Sequence, residues 1–209
     1  MGGRLRPEEI EKRSFEIIAS EMKKEHDEEK LPLIMRAIHT SADFEYEDSL
    51  YFSEDVMEKA LDAFGEGTTI ITDTTMALSG INKPALEKLG MEALCFIGDE
   101  EVAQRAKEEG RTRSYMAVQK AAELGGNLIF VVGNAPTALY AIKELLEEGK
   151  LSPKLVIAVP VGFVNVVESK EEIIKTKVPS IVARGRKGGS NIAAALVNAL
   201  LYMKTGRKL

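Results

Sequence analysis

Five short apolar runs recur from residue 68 onward: Thr68 to Thr72, Ala93 to Ile97, Leu128 to Val132, Leu155 to Val159 and Ser180 to Ala183. Each leads into a stretch with helical periodicity, and none shows the polar alternation of a strand with one wet face. Runs this short and this apolar suit strands covered on both sides. Parallel strands need a crossover long enough to carry a helix, and the intervening segments supply one each time. The expected fold is therefore α/β: a three-layer, mainly parallel five-stranded sheet with helices on both faces, Rossmann-like, in a single domain over residues 1–209. Right-handed crossovers put the strand-to-helix loops on one edge, where open α/β sheets bind ligands. Polar signals collect in those loops: Asp73-Thr74-Thr75-Met76, Gly133-Asn134-Ala135-Pro136-Thr137, Val161 to Lys170, and Arg184-Gly185-Arg186-Lys187-Gly188-Gly189-Ser190.

The first third reads differently. Pro7 opens a helix whose apolar positions Ile10, Ile17, Ile18 and Met22 carry it to about Lys24. Glu25 to Lys30 is a solvated charge run, and His26 within it is expected on the surface. Pro32 starts a short helical segment ending near His39, and Asp43 to Tyr51 reads as loop. Ser53, followed by Glu54 and Asp55, is the expected N-cap of a helix burying Val56, Met57, Ala60, Leu61 and Phe64. Further on, helices are expected over Pro84 to Leu89, Asp99 to Glu109 and Ser114 to Leu124.

Composition excludes several function classes. In a chain of 209 residues, 44% hydrophobic content suffices for one core. The net charge of -5 leaves no global basic field for nucleic acid, so any anion must be met locally. The longest apolar run, Leu155 to Val167, is too short to span a bilayer and is broken by Pro160, Gly162 and Asn165, so no membrane partner is expected. Met1 to Glu9 is charged and unlike a signal peptide. The single cysteine, Cys95, sits in an apolar run as a small buried hydrophobe and permits no intrachain disulfide, which fits a cytoplasmic location.

Two segments carry candidate chemistry. His39, one of two histidines, is flanked by Arg36, Thr40, Ser41 and Asp43 at the end of an apolar segment. Histidine titrates near neutrality, so it can give or take a proton there, although a helix-terminal histidine can also be structural. The second segment is the loop Arg184 to Ser190. Its glycines let amides face a ligand, Ser190 is placed to cap the helix beginning near Asn191, and Arg184, Arg186 and Lys187 add cations. That combination favours an anion site over an ordinary basic turn. Neither a Walker loop nor a Gly-x-Gly-x-x-Gly fingerprint occurs, and Gly133 to Thr137 reads as a wall near a ligand or a plain helix start. No spacing suits a metal, carboxylates such as Asp73 being isolated, and no nucleophile elbow is present. Acid–base chemistry by His39 on an anionic ligand remains.

In chain order, Ser14-Phe15, Arg36-x-Ile38-His39-Thr40-x-x-Asp43, Met76 with Gly80-Ile81, Arg113-Ser114, Gly133 to Leu139, Val161-Gly162-Phe163-Val164 with Glu168-Ser169-Lys170, and Gly185 to Ser190 with Asn198-Ala199-Leu200 resemble the precorrin-8X methylmutase family, including its cobalt-precorrin-8 branch. The set spans nearly the whole chain. Asn165-Val166-Val167 and Ser79 depart from the family's usual smaller residues. The resemblance implies an isomerase of cobalamin biosynthesis that moves a methyl group from C11 to C12 of the macrocycle, giving hydrogenobyrinate or, from the cobalt substrate, cobyrinate. It implies no separate cofactor, no protein-bound metal, and a homodimer with the pocket near the subunit interface. His39 would protonate a ring C or D nitrogen or hold a proton there. A corrinoid is edged with carboxylates, so Arg36, Arg113, Lys170, Arg186 and Lys187 become candidate partners, with Ser14, Thr40, Ser41, Asn134 and Ser190 as further substrate contacts. Asp43 either orients His39 or caps its loop. A non-catalytic corrinoid-binding or carrier protein would keep the same pocket.

Overall fold

The computed structural model describes residues 6–207, with the side chains of residues 7 and 8 set aside. Part of the charged terminus discussed above, residues 1–5, lies outside the described residues. One sheet holds six strands: β1 (Leu50–Phe52), β2 (Thr68–Thr72), β3 (Glu92–Leu94), β4 (Asn127–Val132), β5 (Leu155–Ala158) and β6 (Ser180–Ala183), in the order β1-β6-β5-β4-β2-β3. Strands β2 to β6 pair in parallel, and β1 closes the far edge antiparallel to β6.

All five expected runs contain a strand, although β3 (Glu92–Leu94) takes in only the first two residues of the run Ala93 to Ile97. The sixth, β1, falls at the end of a segment read as loop, which also holds the short helix α3 (Tyr46–Ser49). Three half-buried residues give no periodicity to detect. The β1–β6 ladder continues through Ser53, whose amide donates to the Ser180 carbonyl (3.0 Å) and whose hydroxyl accepts the Ser180 N–H (2.9 Å). Ser53 is thus not the N-cap that the sequence suggested. The helix α4 (Val56–Ala63) begins after Asp55 in a left-handed conformation, without a side-chain cap.

Side chains alternate across the sheet, as strand geometry requires. Ile129, Val131, Leu155, Ile157, Ile181 and Ala183 face α1 (Pro7–Glu21), α2 (Leu31–Ser41), α4, α5 (Thr75–Gly80), α6 (Lys83–Lys88) and α11 (Ser190–Thr205). Phe130, Val132, Val156, Ala158 and Val182 face α7 (Glu100–Glu108), α8 (Arg113–Glu123), α9 (Pro136–Glu147) and α10 (Val166–Lys175). Each fully buried aliphatic contributes about 1.5–3 kcal/mol, so both faces are needed to hold the sheet.

Smaller departures from the sequence reading have local causes. The first helix stops at Glu21 because Met22 turns extended (φ -60°, ψ 141°). The polar turn after β2 contains α5, capped by the Thr74 hydroxyl accepting the Ala77 N–H (3.1 Å). His26 is not a surface residue: its Nε2 lies 3.2 Å from Glu47 Oε1, and the same carboxylate accepts the amides of Lys23 (2.9 Å) and Lys24 (2.7 Å). Cys95 is half-buried just past β3.

After β3 the chain crosses β2 to lay down β4, so strand order reverses between β2 and β4. The crevice outside the strand ends at such a reversal is the usual ligand position. Among the described residues no helix is long and apolar enough to cross a membrane.

Candidate active site

The reversal crevice is filled from within. Asp73, the residue after β2, accepts the amides of Gly133 (2.8 Å), Asn134 (2.8 Å) and Ala135 (2.7 Å) at the start of α9. Burial pushes its carboxyl pKa up, and the three N–H donors oppose that shift. Donors that bind phosphate in nucleotide folds are therefore occupied by a carboxylate of the chain itself. Gly133 serves another contact: a Cβ there would lie 2.8 Å from the Ser190 Cα, so the glycine admits the start of α11 rather than a ligand. Asp73 had looked like an isolated carboxylate. Its position directly after a strand, one strand away from a Gly-Asn-Ala turn, was the available signal.

The loop between β6 and α11 is built the opposite way. Lys170 has no exposed surface (0%), and its Nζ donates to the carbonyls of Gly185 and Lys187, both at 2.9 Å. Burial pushes its ammonium pKa down to about 8. Lys170 therefore lies buried beneath the loop with its ammonium committed to two loop carbonyls, where the sequence suggested a carboxylate partner. At Gly188, φ is 158° and a Cβ would sit 2.1 Å from the Val159 carbonyl oxygen, so only glycine fits. The amides of Gly185, Arg186, Lys187 and Gly188 donate to no acceptor among the described residues. Ser190 does not cap α11. Gly189 takes the N-cap position, and the Ser190 hydroxyl shares a 2.7 Å hydrogen bond with the Thr74 hydroxyl.

The loop's cations are not equivalent. Lys187 pairs with Asp43 and with Glu45 (2.9 Å), so its charge is already answered. Arg184 faces Glu171 (3.5 Å) and stacks on Tyr51. Arg186 is exposed, with its guanidinium 5.4 Å from the ring centre of Phe163, itself 81% exposed. Arg113 is exposed in the first turn of α8, next to Thr112, whose hydroxyl donates to Thr137 (2.8 Å) in the turn that also carries the exposed Asn134.

His39 lies in the last turn of α2, which ends where Ala42 turns left-handed (φ 54°) and donates back to the Ile38 carbonyl (2.7 Å). The imidazole is exposed and stacks on the buried Phe15, centroids 4.9 Å apart at 22°. Arg36, one turn earlier, is buried against the rings of Phe15 and Tyr202 and pairs with Glu11 (2.7 Å). Arg36 thus braces α1 on α2 and offers no exposed cation, unlike the expected substrate contact. Asp43 does not bond to His39. Its carboxylate meets Lys187 and the Glu45 N–H (3.0 Å), and the Lys187 ammonium holds its pKa below the usual carboxylate range. Thr40 is exposed, Ser41 donates to the Ala37 carbonyl (2.7 Å), and Ser14 donates to the Ile10 carbonyl (2.9 Å).

The Asp43–Lys187 pair ties the His39 segment to the glycine loop. Arg186 and Ser190 belong to that loop, whereas Lys170 is occupied beneath it, Arg36 on α2 pairs with Glu11, and Ser14 bonds within α1. Grooves of about 640 and 520 Å³ lie at the opposite sheet edge, where Ser152, Pro153 and Pro179 lead into β5 and β6, and hold none of these residues. Among the described residues no group of three His, Cys, Asp or Glu side chains is arranged to hold a metal ion.

A family model described as precorrin-8X methylmutase matches residues 9–203. The chain belongs to the precorrin-8X methylmutase family. It is with that family an isomerase of cobalamin biosynthesis, a methylmutase. It is 47% identical over 203 residues to the cobalt-precorrin-8 methylmutase of Salmonella typhimurium, covering 94% of this chain and 95% of that one. To the precorrin-8X methylmutase of a Sinorhizobium species it is 34% identical over 194 residues, covering 91% and 92%. The solved structure of precorrin-8x methyl mutase from Thermus thermophilus superposes with a TM-score of 0.87 at 39% identity, covering 95% of this chain and 97% of the other.

Proposed function

We propose that this chain moves the methyl group from C11 to C12 of precorrin-8X or its cobalt form, giving hydrogenobyrinate or cobyrinate, with His39 as the proton donor. The C11–methyl bond breaks as the C12–methyl bond forms, so no external oxidant, reductant or separate cofactor is consumed. A proton held on a ring C or D nitrogen draws electron density from the conjugated path the methyl crosses. A positioned acid of this kind contributes about 10² to 10⁴ in rate. The observation that carries the reading is the Asp43–Lys187 tie, which joins an exposed, ring-stacked imidazole to a loop with unanswered amides. Peripheral carboxylates would be met by those amides, Arg186, Arg113, Asn134 and Ser190. Each charge-assisted hydrogen bond contributes about 1.5–3 kcal/mol. The exposed side chains of Phe163, Val164 and Met76 would cover the apolar ring.

Incubating the purified protein with metal-free and cobalt forms of precorrin-8 and following visible absorption tests the reaction and its metal preference together. His39→Ala is expected to abolish conversion while still binding the coloured product, and undiminished conversion would sink the proton role. We also infer a cytoplasmic homodimer, a state in keeping with the family resemblance. Light scattering should give twice the chain mass.

A further inference from the structure

We infer that Lys170 sets the anion affinity of the glycine loop without touching the ligand, by holding two loop carbonyls inward so that the following amides face outward. The inference rests on the reading that corrinoid carboxylates dock at this loop.

In a trans peptide the carbonyl and the next residue's N–H point in opposite directions, because the unit is planar. The Lys170 ammonium draws the Gly185 and Lys187 carbonyls to itself, each at 2.9 Å. The amides that those two bonds turn away belong to Arg186 and Gly188, and both are among the loop amides with no acceptor in the described residues. Two further bonds anchor the neighbouring peptides of the loop: the Arg186 carbonyl accepts the Gly162 N–H (3.1 Å), and the Gly189 N–H donates to the Val159 carbonyl (2.8 Å). Gly188 lies close against Val159, where an added Cβ would fall 2.1 Å from the carbonyl oxygen.

Charge acts in the same direction. Lys170 is fully buried with only carbonyl oxygens as hydrogen-bond partners, so no carboxylate answers its charge. Lys187, one of the loop's three cations, is neutralised by Asp43 and Glu45. An anion above the loop therefore meets two oriented amides with an uncompensated positive charge beneath them. Lys170 is a positioning residue in this scheme, buried beneath the loop and bonded to its carbonyls.

Lys170→Met keeps the volume and removes donor and charge; Lys170→Gln keeps one neutral donor. Product affinity is read by visible absorption titration, with KM, kcat and thermal melting measured on the same preparations. The Met variant is expected to raise product Kd and KM about tenfold or more, the scale of one lost charge-assisted contact, while kcat at saturation stays within about threefold. The Gln variant should fall between Met and wild type. A folded variant with lower melting temperature but unchanged Kd and KM would reduce Lys170 to a structural residue and overturn the inference. A fall in kcat with KM unchanged would overturn it too. Should the Met variant fail to fold, the Gln variant carries the same test alone, a raised KM supporting the inference and an unchanged one overturning it. Wild-type binding with unaltered variant affinity refutes this inference only. A wild-type protein that does not bind the product refutes the site reading and this inference together.

Discussion

Two strand-to-helix turns at the same sheet edge are anchored by buried charges of opposite sign, and the sign decides what each can do. At the β4–α9 turn, the Asp73 carboxylate takes the three amides that an anion would use. At the β6–α11 loop, the Lys170 ammonium takes two carbonyls and leaves the amides unanswered. Both turns are glycine-bearing and both precede a helix. Topology marks the first as the ligand crevice, yet its donors are spent internally, whereas the loop with the buried positive charge keeps its amides free, which is why we propose the ligand surface there. A fold's usual site is therefore a statement about available donors, and one buried side chain can cancel it.

The largest expected effect comes from breaking the closed side of that pair. Asp73→Ala leaves three amides in a buried turn without an acceptor, and each such donor costs about 1–3 kcal/mol. A loss of roughly 3–5 kcal/mol of stability is expected in urea unfolding, with Asp73→Asn losing less because one oxygen remains. A loss under about 1 kcal/mol for Asp73→Ala would mean that water answers those amides and that the crevice is open after all.

On the other side the buried cation gives a pH signature of the next size. The unfolded lysine holds its proton to about its ordinary pKa of 10.5, whereas in the folded chain burial lowers the value to about 8. Between these values the unfolded chain binds more protons, so stability rises with pH through that window. Below pH 8 both states are charged, and the full burial cost of about 3 kcal/mol is present. Chemical denaturation of wild type and Lys170→Met from pH 7 to 10.5 should show wild type gaining about that much relative to the variant. Parallel curves would mean that the ammonium is hydrated in the folded protein.

How much of this was readable in advance follows from where each partner sits. The five parallel strands were legible because β-branched and aliphatic runs carry their own signal, and the exposure of His39 at the end of α2 agrees with its placement at the end of an apolar segment. Strand β1 was not, since three half-buried residues have no period. Ser53 and Ser190 both looked like helix caps, and both hydroxyls instead bond across the fold, to Ser180 and Thr74. Lys170 and Arg36 were candidate carboxylate partners because sequence shows charge and not depth; the first lies under a loop, the second between Phe15 and Tyr202. Asp73 lacked any local partner in sequence because its partners are on the neighbouring strand's turn.

The smallest stability effect, and the finest test of the comparison, belongs to the tie between the open loop and the His39 segment. Asp43 and Lys187 form a partly exposed ion pair, a class that contributes about 0–1 kcal/mol, so Asp43→Asn should leave the melting temperature almost unchanged. Two roles then separate. If Asp43 only tethers the loop, Asn still accepts the Glu45 N–H, KM rises a few-fold as the loop loosens, and the pH profile of kcat stays where it was. If Asp43 swings to the imidazole when substrate binds, removing its charge shifts the alkaline limb of that profile to lower pH, since a carboxylate beside a histidine favours the protonated ring that a proton donor needs. The geometry, with the carboxylate on Lys187 and no bond to His39, predicts the first outcome. A displaced limb would mean that the loop releases Asp43 during turnover, making the β6–α11 loop a moving part where the β4–α9 turn is fixed.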